Sequence, residues 1–336
     1  SVVALSHSGE ILVGESAKNQ AVASPQMTLA GIKRRLGSRS PLSLGGRSIA
    51  PEEAASWIFA KVKRDAESFL GFPVEQAVVS VPARFGEPQR RAVKESARRA
   101  GLEVPRLVNE PTAAAVARAF LDPQDPDAER IVLVYDFGGG TFDVTVLAAR
   151  GRTCRVLSSA GDDRLGGMDI DLLLYREAAG VFRRDWGVDP DSDPFLAQQL
   201  MDLSERAKIE LSSLTEAAIT IPFLNAGKSV AHPSFKLSRD RLEDLIRPLA
   251  ERSLSLVRTA LDEAGKRPRD VGALVLSGGS SRIPLVRRMI AELLPLEPEG
   301  RVNPEEIVAV GAAVEAAILS GRAGGFSVRD VNSRTY

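Results

Sequence analysis

Asp136-Phe137-Gly138-Gly139-Gly140-Thr141-Phe142-Asp143 stands between two apolar runs, Ile131–Asp136 and Phe142–Ala148. Both runs have strand length and composition, so the glycines between them form the turn of a β-hairpin. Glycines without a Cβ let backbone N–H groups approach and cradle phosphate oxygens, and Thr141 adds a hydroxyl donor. Asp136 and Asp143, at the strand ends beside the turn, are hard oxygen ligands able to hold Mg²⁺ through its waters. The spacing is not G-x-x-x-x-G-K-[ST], and a strand rather than a helix follows, so this is not a P-loop. Taken alone, the stretch also reads as a glycine-rich turn with no ligand.

Outward from the hairpin, the chain alternates predicted strands and helices with no solenoid-period repeat. Ala273–Ser277 predicts another buried strand, running into Gly278-Gly279-Ser280-Ser281-Arg282-Ile283-Pro284 and a helix. Backbone at Gly278 and Gly279 can pass close to a nucleotide, and Arg282 can lay its planar guanidinium on a base. A tight strand-to-helix turn explains the same glycines. The loop Gly161-Asp162-Asp163-Arg164-Leu165-Gly166-Gly167-Met168-Asp169 is a third and weaker signal. Glu110, between Leu107-Val108-Asn109 and Pro111-Thr112-Ala113-Ala114-Ala115, either orients water or Mg²⁺ or caps the helix that follows. By themselves Lys33 and the helical group Glu205, Arg206 and Lys208 read as solvated charges.

The periodicity predicts helices over Pro51–Leu70, closed by Gly71, and Glu87–Ala100, stopped by Gly101. Ala77–Val81 predicts a short strand ended by Pro82. Asp240–Ala264 predicts a long helix kinked at Pro248, and Glu305–Leu319 a helix of small residues. Gly37–Ser48 and Asp122–Ala128 look most like linkers, and Gly321–Tyr336 like an exposed or connecting tail.

A chain of 336 residues exceeds a typical single core, so two lobes are expected. Apolar residues make up 44% and aromatics 5%, giving a core of Ala, Val, Leu and Ile. Forty-four basic residues balance 44 acidic ones, against a general nucleic-acid or membrane binder. One cysteine, Cys154, excludes an internal disulfide framework, and His7 and His232 are too few for a multi-histidine metal site. No run approaches the ~20 apolar residues of a membrane span, and no signal peptide opens the chain. A cytoplasmic, reducing compartment fits best. Beginning at Ser1 and ending at Tyr336, the sequence reads as a fragment.

These segments together, and in order, resemble the nucleotide-binding domain of Hsp70 (DnaK-type) chaperones from Ser1 to about Gly321. Leu12–Ala21, Ile32-Lys33-Arg34, Val79–Ala83, Asn109–Ala115 and Asp136–Val144 carry the resemblance. Leu165-Gly166-Gly167, Glu205–Ser213, Gly278–Pro284 and Asn303–Val314 complete it. The resemblance implies an α/β, actin-like ATPase fold, with two lobes, each a mixed sheet with flanking helices, around a nucleotide cleft. Residues 1–125, completed by 302–325, would form one lobe, 126–301 the other, and 326–336 the start of an interdomain linker. It implies ATP or ADP with Mg²⁺ as ligand, and slow hydrolysis driving a conformational switch in protein folding and the stress response. Its expected partners are a J-domain co-chaperone, a nucleotide-exchange factor and a client-binding domain.

Carried over residue by residue, Lys33, Glu110 and Asp143 resemble the groups positioning the attacking water and metal. Asp136, with Glu110, resembles the Mg²⁺ shell acting through water, and Thr141 the γ-phosphate donor. Gly138, Gly139 and Gly140 resemble the phosphate-binding amides, and Glu205, Lys208 and Ser212 the adenosine and ribose contacts. Gly278 with its neighbour Gly279 and Arg282 resemble the adenine clamp. Met168 stands where the family commonly has Glu, Arg164 where it has His, and Glu305 where it has Asp. The family's D-L-G-T-T phosphate loop has no counterpart in the sequence, so half of the phosphate cradle is expected to be missing. An actin-like filament ATPase, sharing the hairpin, and a nucleotide sensor without turnover are the competing readings.

Overall fold

The computed structural model describes residues 1–121, 128–151, 153–222, 224–226, 229–298, 303–323 and 327–329. In chain order the elements begin β1 (Val2–Leu5), β2 (Ile11–Val13), α1 (Glu15–Ala21), β3 (Thr28–Ala30), β4 (Leu42–Leu44), β5 (Arg47–Ile49) and α2 (Pro51–Leu70). There follow β6 (Val79–Val81), α3 (Glu87–Arg99), β7 (Leu107–Asn109), α4 (Glu110–Leu121), β8 (Glu129–Phe137), β9 (Phe142–Arg150), β10 (Thr153–Asp162) and α5 (Gly167–Trp186). Next come α6 (Pro194–Glu210), β11 (Glu216–Thr220), β12 (Leu224–Ala226), β13 (Ser229–Ala231) and β14 (Ser234–Ser238). The chain ends with α7 (Arg239–Glu263), β15 (Val271–Ser277), α8 (Pro284–Leu293), α9 (Ile307–Leu319) and β16 (Ser327–Arg329). These elements form two compact units: Ser1–Val74 with Arg91–Leu102 and Met168–Pro248, and Glu75–Arg90 with Glu103–Gly167 and Leu249–Tyr336.

The second unit is built on a mixed sheet of order β15-β8-β9-β10-β16. β8 and β9 form the expected antiparallel hairpin, β15 runs parallel to β8, and β16 runs parallel to β10. Both long hairpin strands are buried at nearly every residue, and so on both faces, which explains their continuous apolar sequence. On one face lie α4 and α9, enclosing Ala114, Val132, Leu147, Cys154, Val275 and Ile307. Gly311 of α9 sits so close to α4 that a Cβ there would fall inside the Ala113 carbonyl. The hairpin's closed end carries Tyr135, Phe137 and Phe142, with ring centroids 4.8 and 5.5 Å from Phe142 in edge-on contact. The Tyr135 hydroxyl is 2.7 Å from that of Ser253 on α7, so this buried polar group is satisfied.

In the first unit β1 is central to a three-stranded antiparallel sheet, with α1 packed against it. Gln20 of α1 donates to the Leu5 carbonyl at 2.7 Å. α2 begins with Pro51 at its first position and closes on Gly71 in the left-handed region at φ 77°.

Several expectations are corrected. Residues 37–48 are not a linker: they hold the hairpin β4–β5, with Leu42, Leu44 and Ile49 buried. In the tail, Ser327–Arg329 adds an edge strand instead of only connecting, while 324–326 and 330–336 lie outside the described residues. Of the second linker-like stretch, Asp122–Ala128, residues 122–127 also lie outside them. The strand expected from Ala77 begins at Val79, and the helix expected from Glu305 begins at Ile307.

Candidate functional site

The turn between β8 and β9 is shaped by contacts that only glycine permits. Gly138 donates its N–H to the Thr141 carbonyl at 3.0 Å, closing the turn. The Gly138 carbonyl accepts from the Gly167 amide at 3.0 Å and from the Ser280 hydroxyl at 3.1 Å. Three other glycine segments press backbone onto this turn. A Cβ at Gly161 would stand 2.6 Å from the Phe142 carbonyl oxygen and 2.8 Å from Asp143 Oδ1. One at Gly166 would stand 2.6 Å from the Gly139 oxygen, and one at Gly278, with φ 78°, would overlap the Phe137 carbonyl. Gly139 differs, for nothing lies within 4 Å of the position a Cβ would take. The turn is therefore clasped from below and open at Gly139.

Asp136 and Asp143 are direct cross-strand partners, 8% and 2% exposed, so both carboxylates rise from one face of the hairpin end. Two carboxylates in one buried register position repel one another, and a hard cation with its waters turns that repulsion into coordination. Among the described residues no cluster of three or more His, Cys, Asp or Glu could cage a metal. The donor set suits Mg²⁺, which uses one or two carboxylates and otherwise waters and phosphate oxygens. Thr141 is buried beside them, and Glu110 is half-buried at the first position of α4, directly after β7.

Gly278 leaves β15 and begins the turn carrying Arg282. The exposed Arg282 donates from Nη2 to Asn303 Oδ1 at 2.7 Å, and its Nε lies 3.6 Å from Glu305. The hydrogen bond to Asn303 fixes one edge of the planar guanidinium, and Glu305 adds an opposite charge near its Nε. Asn303 was missed by sequence reasoning as Arg282's partner, because an ion pair or amide bridge over 21 residues leaves no local pattern.

The remaining predicted residues belong to the other unit. Lys33 is exposed on a single 3₁₀ turn, Ile32–Arg35. Lys208 of α6 pairs with Asp171 of α5 at 2.7 Å, both nearly buried. Burial pushes the Asp171 carboxyl above its ordinary range, against the pull of Lys208. Glu205 accepts from Lys18 of α1 at 2.5 Å, and the Ser212 hydroxyl donates to the Lys208 carbonyl at 3.3 Å. Thus Glu205 and Lys208 lie in the last two turns of α6, and Ser212 follows just beyond its end. Their partners Lys18 and Asp171 went unnoticed in the sequence.

No helix of the described residues is long and apolar enough to cross a membrane. The family model described as Hsp70 protein matches residues 40–336. The chain is 41% identical over 326 residues to the chaperone protein DnaK of Thermotoga neapolitana, covering 96% of this chain and 54% of that protein. It is 42% identical over 325 residues to the DnaK of Thermosipho africanus, again covering 96% and 54%. The DnaK of Thermotoga maritima is similar at 41%. The chain spans about half the length of the curated relatives it matches. With the ordered motifs, the glycine-clasped hairpin and these matches agreeing, the chain belongs to the Hsp70 family.

Proposed function

We propose that this chain binds ATP and ADP with Mg²⁺ and, within the intact protein, hydrolyses ATP slowly as the nucleotide switch of a molecular chaperone. The observation that carries this reading is the hairpin turn itself, open at Gly139, with two buried carboxylates side by side beneath it. Bound Mg²⁺ would neutralise phosphate charge as it develops. Asp136 and Glu110 would hold the ion's waters, Thr141 would donate to the terminal phosphate, and Asp143, Glu110 and Lys33 would orient the attacking water. Gly139 and Gly140 would offer amides to the phosphates, whereas Gly138, expected to do the same, gives its N–H to the Thr141 carbonyl and closes the turn. Gly278, Gly279 and Arg282 would clamp the adenine, and Glu205, Lys208 and Ser212 would hold the adenosine. Positioning and fixed dipoles supply most of what phosphoryl transfer needs, so no covalent intermediate on the protein is required.

The same reading takes the lobes to be residues 1–125 with 302–325, and 126–301. It takes a J-domain co-chaperone and an exchange factor as partners, a client-binding domain elsewhere in the protein, and the cytoplasm as its location. The filament reading is not favoured, because the matching relatives are chaperones by name.

Arg282 gives the test, because a stacked guanidinium acts on the base and not on phosphates. Arg282→Ala should weaken ATP and ADP binding about tenfold, roughly 1.4 kcal/mol, while leaving tripolyphosphate binding unchanged. Calorimetric titration with all three ligands measures this. Equal losses for the three would make Arg282 a general positive charge and remove the adenine clamp.

A further inference from the structure

Lys33 lies on a single 3₁₀ turn of four residues, Ile32–Arg35. Its neighbours in sequence are held by the first turn of α5. On one side, Arg34 donates Nη1 to Asp169 Oδ1 at 3.2 Å and Nη2 to Oδ2 at 2.5 Å. This two-pronged pair is half-buried, with side-chain exposures of 22% and 26%, and a planar fork fixes direction as well as distance. On the other side stands Gly31, which enters the turn at φ 66°. A Cβ on Gly31 would lie 2.9 Å from Met168 Cε and 3.6 Å from its Sδ, so the Met168 thioether occupies the space a side chain would need. An unbranched, polarisable side chain can follow a bare backbone in this way. Met168 is 39% exposed, too open for its burial to be a large source of stability.

We propose that Met168 and Asp169 are positioning residues for Lys33. The methionine seats the backbone before the lysine, and the aspartate anchors the arginine after it. This rests on the reading of the chain as an ATPase in which Lys33 orients the attacking water. A partly exposed ion pair adds little to stability, whereas a displacement of about 1 Å in a positioned group costs about 100-fold in rate. The first turn of α5 therefore matters more to hydrolysis than to folding.

The test uses the intact protein carrying Asp169→Asn, Met168→Ala or Met168→Leu, alone and combined with Lys33→Ala. Single-turnover ATP hydrolysis and ATP affinity are measured separately. Lysine reactivity is followed by pulsed acetylation with acetic anhydride and mass spectrometry. Asp169→Asn and Met168→Ala should each slow hydrolysis about tenfold with affinity kept within about twofold, and Met168→Leu, which conserves volume, should restore most of the rate. In the Lys33→Ala background, Asp169→Asn should cost nothing further. Acetylation of Lys33 should change at least about threefold in both disruptive variants while Lys94 stays constant. Unchanged Lys33 acetylation in both variants, or an equal rate loss with and without Lys33, would overturn the proposal. A parent protein with no hydrolysis would instead refute the ATPase reading, and the acetylation result would still decide the positioning.

Discussion

At Gly278 the backbone has no room for a methyl group, and at Gly139 it has ample room. That contrast separates glycines packed against backbone from the one left open, where the proposed ligand would bind. Gly278→Ala combines a left-handed φ of 78° with overlap on the Phe137 carbonyl, and should cost about 3 kcal/mol or more. Gly139→Ala should leave stability within about 1 kcal/mol, yet weaken nucleotide binding by crowding the open side of the turn. Urea unfolding alongside ATP affinity measures both. Tolerance at Gly278, or an unfolded Gly139→Ala, would contradict the clasped-turn geometry. The sequence marked where backbone approaches something closely. It left open whether that something is a ligand or another strand, since absence of a Cβ looks alike in both cases. At Gly161, Gly166 and Gly278 the partner is the hairpin backbone itself.

Among the elements, helices were the most legible. Pro51 and Gly71 bound α2 at the residues expected, and Glu87 opens α3. The hairpin β4–β5 was read as a linker because each strand has only three residues and Gly45-Gly46 dominates the composition. Alternation of Leu42 and Leu44 about an exposed serine was the available signal. The pairing of α5 with α6 through Asp171 and Lys208 had no such signal, because 37 residues separate the partners. It makes a pH prediction. Asp171 is raised in the folded protein, chiefly by burial, so folding favours its protonated form. The stability from that form is present below the unfolded carboxylate pKa and lost as pH rises through the folded value. Where Asp171 is charged, the buried carboxylate depends on Lys208. Lys208→Met should destabilise by about 3 kcal/mol at pH 7, and the loss should shrink as pH falls and Asp171 takes a proton. Urea titrations from pH 7 to 5 measure it, and a loss independent of pH would mean that Asp171 does not need the lysine's charge.

For the whole molecule, a length of 336 residues pointed to two lobes, and the chain divides into two compact units. Their interleaved boundaries were not legible, since compactness depends on contacts between segments far apart in sequence. Family membership rests on motifs in order along the chain and on matches covering 96% of it. The function proposed for it rests on a narrower point, that Asp136 and Asp143 stand together to serve a metal with its nucleotide. Calorimetric titration of ATP into the intact protein, with Mg²⁺ and with the metal chelated, tests this most directly when repeated on Asp136→Asn. Binding should be at least about tenfold tighter with Mg²⁺, roughly 1.4 kcal/mol, and that difference should vanish in the variant. Equal affinity with and without Mg²⁺, or an unchanged Mg²⁺ dependence in Asp136→Asn, would reduce the hairpin to a structural turn.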